Sequence, residues 1–153
     1  MSRQTFKLLI NYDFGKSIIF NKADIAINYD EEKQWIYLDS NSLGGFGKKL
    51  FRINDYEKNK TWYIFLENVS FIVSEKTIKI KTDSQVTFLE QARVKVDLTK
   101  LIKEKRKQIE YLSAIKKIGI NIDNYLRLND YKQMLYELEL RQLFNLVEGD
   151  LNE

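Results

Sequence analysis

Ser42-Leu43-Gly44-Gly45-Phe46-Gly47-Lys48-Lys49 gathers three of the chain's six glycines beside a pair of lysines. Glycine has no Cβ to limit backbone approach, so amides there can turn toward an anion or lie against a partner, and lysines would add charge. The segment is not a Walker loop, which needs Gly where Ser42 stands and Ser or Thr where Lys49 stands. Gly15-Lys16-Ser17 imitates the end of such a loop, but Ile10 takes the place of its first Gly. Two readings stand for residues 42–49. One is a mobile hairpin loop. The other is a partner-binding element made of Gly44, Gly45, Phe46, Gly47, Lys48 and Lys49, because binding functions concentrate on loops.

Lysines supply a second kind of chemistry, the neutralisation of phosphate. Residues 98–119 hold seven Lys/Arg against two Glu, whereas residues 120–153 hold three against seven Asp/Glu. Complementary pairing between two helices explains this polarity, each exposed pair contributing about 0–1 kcal/mol. A basic helix offered to a polyanion explains it too, through Lys100, Lys103, Lys105, Arg106, Lys107, Lys116 and Lys117. Lys76, Lys79, Lys81, Arg93 and Lys95 would share a face if residues 76–82 and 93–97 lay in one sheet. Lysines so placed also keep sheets from pairing with other molecules.

Carboxylates offer little. Asp24 or Asp13 followed by Glu31-x-Lys33 is the nearest approach to a metal-dependent nuclease pattern, but it falls in an acidic turn rather than inside a strand. The chain has neither His nor Cys. That removes the usual general base near neutral pH, the Ser-His and Cys-His dyads, thiolate nucleophiles and Cys-based metal sites. The expectation is no enzyme, no cofactor and no metal.

These residues must be positioned by about 153 amino acids, enough for a core without disulfides. Charge is nearly balanced, 25 basic against 22 acidic residues. Lys, Ile and Asn together make up 48 residues, and Ala only four. A low-GC genome, bacterial or phage, accounts for that bias. No signal-peptide pattern and no long apolar run appear, so a cytoplasmic protein without membrane contact is expected.

Alternation organises the chain up to Asp97. Phe6 to Ile10, Ile18 to Phe20, Ile25 to Tyr29, Trp35 to Leu38, Thr61 to Leu66 and Phe71 to Val73 read as short strands. Thr77-Ile78-Lys79-Ile80-Lys81 alternates most clearly, and Val86, Phe88, Val94 and Val96 continue the pattern. Trp35, Tyr37, Trp62, Tyr63 and Phe65 read as packing residues, some half-exposed. The period then becomes helical. Asp97 is a candidate N-cap, Gly119 a candidate C-cap, and a second helix runs from about Asp123 to Val147. The fold class expected is α+β: an N-terminal antiparallel β-rich domain (sandwich, barrel or curled sheet) over 1–97, then a C-terminal helical hairpin over 98–153, the two packed as one unit.

The function expected is that of a small non-enzymatic binding or regulatory protein acting by occupying the surface of a macromolecule. A phage or mobile-element inhibitor of a host defence or nuclease complex is one concrete form. The alternative is nucleic-acid binding through the basic helix. A protein partner comes first, nucleic acid second, and self-association through the last helix is a further option.

Overall fold

The computed structural model describes residues 4–29, 33–39, 43–119 and 121–151. It has a β-rich N-terminal part followed by two helices, the α+β class expected. The strands are β1 (Phe6–Tyr12), β2 (Lys16–Tyr29), β3 (Gln34–Tyr37), β4 (Leu43–Phe46), β5 (Lys49–Asp55), β6 (Lys60–Leu66), β7 (Val69–Val73), β8 (Thr77–Lys81) and β9 (Leu89–Gln91). Helices α1 (Thr99–Ile118) and α2 (Ile122–Phe144) follow, and β10 (Leu146–Glu148) returns to the sheet. Contacts divide the chain into two compact units, residues 1–90 with 148–153, and residues 91–147.

The sheet is open and runs β10-β9-β6-β5-β2-β1-β8-β7-β4, with β3 added to β2. The fourteen-residue β2 serves several neighbours because it outlasts each of them. It pairs β1 from Lys16 to Ala23, β5 from Ala23 to Ile27, and β3 from Ala26 to Tyr29. One detail departs from the antiparallel expectation: β1 and β8 run parallel, Leu8 opposite Ile78 and Ile10 opposite Ile80. That pairing joins segments far apart in sequence, and no hairpin turn fixes its direction.

Alternation predicts burial well where one face is wet. Ile78 and Ile80 are fully buried and Lys79 and Lys81 exposed, as a period of two requires. Leu8 and Ile10 from β1, Ile25 and Ile53 from β2 and β5, and Trp62 and Ile64 from β6 meet on the inner side. Phe88 closes over them, its ring edge-on to Trp62 at 5.8 Å. Each such side chain contributes roughly 1.5–3 kcal/mol through area removed from water.

Residues 93–97 do not form the expected strand. Their polar backbone groups are taken instead by Asn145, the left-handed residue that ends α2. Its side-chain amide donates to the carbonyls of Ala92 and Val94 at 2.9 and 2.8 Å, and its carbonyl oxygen accepts from the amide of Val96. Val94 is left exposed. Asp97 stands one place before the N-cap, which is Leu98, and accepts from the Thr99 amide at 3.0 Å. Gly119 ends α1 as expected, and Asn121 caps α2 by accepting from Asn124.

Candidate functional site

The glycine segment is a strand, not a loop. Gly44, Gly45 and Phe46 belong to β4, Gly47 and Lys48 form the turn, and Lys49 opens β5. The glycines serve close packing: a Cβ on Gly44 would stand 3.0 Å from two atoms of the Phe71 ring, and one on Gly45 would stand 3.1 Å from the Val69 carbonyl. Ser42 and the side chain of Phe46 lie outside the described part. Gly15 likewise has a local reason. Asp13 and Phe14 take left-handed conformations, Gly15 has φ +124°, and Lys16 closes the turn on Asp13 at 2.8 Å. That contact raises the Lys16 pKa, mainly through its hydrogen bond with the Asp13 carboxylate. A hairpin turn, not a phosphate cradle, explains Gly15-Lys16-Ser17.

Asp13, Asp24 and Asp55 are engaged within the fold. Asp24 is buried, accepting from the Asn54 amide at 2.7 Å and the Tyr56 hydroxyl at 2.6 Å, while Asn54 accepts from Thr61. Asp55 accepts from the amides of Glu57 and Lys58. Glu31 lies outside the described residues. No cluster of three metal-ligating side chains occurs among the described residues.

The basic helix divides by phase. Arg106 meets Glu139 at 3.1 Å, and Lys105 and Lys116 lie over the rings of Tyr131 and Tyr125 at 4.1 and 6.0 Å. These three belong to the side that packs on α2, with buried Ile102 and Leu112. Lys100, Lys103, Lys107 and Lys117 are exposed and make no ion pair or ring contact among the described residues. Lys100, Lys103, Lys107, Tyr111 and Ile118 follow one another at intervals that keep them on one helical face. Tyr111 is 68% exposed. Glu104 and Glu110 lie at the margins of this row. On the flank between the helices a groove of about 300 Å³ is lined by Leu101, Lys105, Gln108, Met134 and Leu138 with two glutamates.

Arg93 and Lys95 do not join Lys76, Lys79 and Lys81 on a sheet face, since no strand spans 93–97. Sequence reading also missed a cluster around Arg52. Its guanidinium lies 4.5 Å from the Trp35 ring centre and donates to the Tyr37 hydroxyl at 2.8 Å, and Trp35 packs on Tyr63. Burial pushes the Tyr63 phenol pKa up, an effect that Arg52 partly offsets. The signal was the register Tyr37–Ala26–Arg52–Tyr63, which places the three large residues in one row with the small Ala26 leaving space between them.

The described residues form an open β-sheet and a pair of helices, an α+β fold. Residues 7–87 match the model of the UU051 N-terminal domain, and residues 99–149 that of the Uncharacterised protein UU051 C-terminal domain. The chain belongs to the UU051 family. It is 25% identical over 155 residues to the UU051 protein of Ureaplasma parvum serovar 3, covering 94% of this chain and 91% of that protein. It is also 28% identical over 144 residues to the phenylalanine–tRNA ligase beta subunit of Mesomycoplasma hyopneumoniae strain 7448. That match spans 89% of this chain and 18% of the subunit, and the subunit of strain 232 matches to the same extent. No helix among the described residues is long and apolar enough to cross a membrane.

Proposed function

We propose that the chain is a non-enzymatic binding module whose ligand is a structured RNA of the tRNA kind, held on the outer face of α1. The observation that carries this reading is the free row Lys100, Lys103, Lys107 and Tyr111 on the side of α1 turned away from α2. The lysines span seven residue steps, about 10 Å of helix, and can neutralise neighbouring phosphates. Tyr111 follows one turn later, where an exposed ring can stack on an unpaired base. The same kind of stretch occurs within a tRNA ligase subunit, an RNA-handling enzyme of which it forms under a fifth. This chain, with neither His nor Cys, fits binding better than catalysis.

Fluorescence anisotropy with a labelled phenylalanine tRNA transcript tests the reading across a salt series. Each released counterion contributes about 0.7–0.9 to the slope of log affinity against log salt, so K100Q/K103Q/K107Q should flatten that slope by about 2–3. The variant folds normally on this account, since none of the three lysines has a side-chain partner among the described residues. An unchanged slope, or no saturable binding by the parent at low salt, overturns the proposal. So does binding that survives high salt undiminished, which would return the case to a protein partner such as the inhibited complex of a host defence.

A further inference from the structure

The sheet carries a second surface, on the first unit and independent of α1. Register sets Ile19, Leu9, Lys79 and Ile72 in one row across β2, β1, β8 and β7. The next row holds Asn11, Lys81, Ser70 and Gly45 across β1, β8, β7 and β4. Ile19 and Ile72 are 53% and 56% exposed, although both stand on regular strands where alternation would place polar residues. Between the rows lies a groove of about 290 Å³, walled by Asn11, Ser70, Ile72, Lys79 and Lys81. Strands β1, β4, β7 and β8 contain Lys7, Lys79 and Lys81 but neither Asp nor Glu.

Protection against edge pairing does not account for these lysines. Guarding residues belong on the edge strand, and the edge strand β4 has the sequence Leu-Gly-Gly-Phe. Lys79 and Lys81 stand on β8, two strands inside that edge. Nucleic acid is a poor fit as well, because both rows lack an outward aromatic ring and aliphatic side chains do not stack on bases.

The two rows differ in kind. Around Lys81 every group can donate: an ammonium, the Asn11 amide and the Ser70 hydroxyl, none with a side-chain partner among the described residues. Around Lys79 the neighbours are aliphatic, Leu9 on one side and Ile72 on the other. The rows are two residues apart along β8, a spacing of about 6.7 Å, which is also the distance between alternate side chains of an extended peptide. We propose that this face docks an extended, acidic segment of a partner protein, in which a carboxylate and an aliphatic side chain stand two residues apart. The carboxylate sits among Lys81, Asn11 and Ser70. The aliphatic group lies against Ile72 and the stem of Lys79.

The test is a titration of the ¹⁵N-labelled full chain, followed by heteronuclear NMR. The probe is a capped heptapeptide with Val and Glu two residues apart in a threonine background, together with its Glu→Gln twin. Saturable shifts are expected at the amides of residues 9–11, 70–72 and 79–81, with the Gln peptide roughly five times weaker. In Lys81→Gln the two peptides should bind alike, and in Ile72→Ser both should weaken while their ratio persists. Three results overturn the proposal: no shifts in these strands at millimolar peptide, an undiminished preference for Glu in Lys81→Gln, or tighter binding of an RNA oligonucleotide to these same strands.

Discussion

Substituting single glycines in β4 and its turn separates packing from anion binding as the reason for their presence. A methyl group at Gly44 meets two atoms of the buried Phe71 ring at 3.0 Å, closer than van der Waals contact allows. The ring cannot withdraw freely, because Phe71 belongs to the same core cluster as Ile80 and Val73. Overpacking of this kind costs about 1–3 kcal/mol. Replacing glycine stiffens the unfolded chain and returns about 0.4–1 kcal/mol. Gly44→Ala should therefore destabilise by roughly 1–2 kcal/mol net of the two effects. At Gly47 a Cβ meets nothing within 4 Å. Gly47→Ala should accordingly be neutral or more stable by up to about 1 kcal/mol. Urea unfolding of both variants, read at constant m-value, measures the difference. A second arm trims the obstacle: Phe71→Leu is costly alone, but Gly44→Ala added to it should cost much less than in the parent. Equal stability of Gly44→Ala and Gly47→Ala, or simple additivity with Phe71→Leu, would refute the packing account. The segment would then again be a candidate anion loop.

Asn145→Gly keeps the left-handed cap but abandons the backbone groups of Ala92, Val94 and Val96, and should cost about 2–4 kcal/mol, with the loss read in urea and amide exchange quickening first at residues 92–98. Stability of Asn145→Gly within about 0.5 kcal/mol of the parent would show those bonds to be dispensable. Hydrogen bonds from Thr99, with Lys95 as a smaller influence, hold the Asp97 carboxyl below the usual carboxylate range. A group whose pKa is lowered on folding stabilises above its unfolded value, near 3.9, and that stabilisation fades as pH falls through the folded value. Asp97→Asn should therefore lose stability at neutral pH and converge on the parent in acid, which urea midpoints across that range would show as a flatter acid limb; parallel limbs would count against it.

Periodicity was legible wherever the two sides of an element differ. Thr77 to Lys81 alternates because one side meets the core and the other water, and the helices announce themselves through Ile102, Ile109 and Leu112. The same phase could have divided the basic helix in advance, since Lys105 and Lys116 share the side of those apolar residues and Lys100, Lys103 and Lys107 oppose it. β4 was illegible for the reverse reason. Leu-Gly-Gly-Phe has no alternation to read, and the residue that requires Gly44, Phe71, is remote in sequence. The parallel pairing of β1 with β8 leaves no local mark either. Asn145 falls inside the helix expected to run to Val147, and only the fold shows that it ends α2 and takes up backbone groups of residues 92–96.

A formal charge of +3 is too even a balance to announce a polyanionic partner, and net charge counts bound and free groups alike. Asp13 is committed to Lys16, Asp24 to Asn54 and Tyr56, Asp55 to its turn, Glu90 to Lys60 and Glu139 to Arg106. Lys100, Lys103 and Lys107 in one unit, and Lys79 and Lys81 in the other, have no such commitment among the described residues. Five carboxylates thus have partners inside the fold, and these five lysines stand in two separate rows. The rows also differ in their uncharged members, an exposed tyrosine on α1 and exposed isoleucines on the sheet. Charge alone does not distinguish RNA from an acidic peptide at either row. The two proposals differ through the neighbouring side chains, because a ring accepts a base and an aliphatic groove does not.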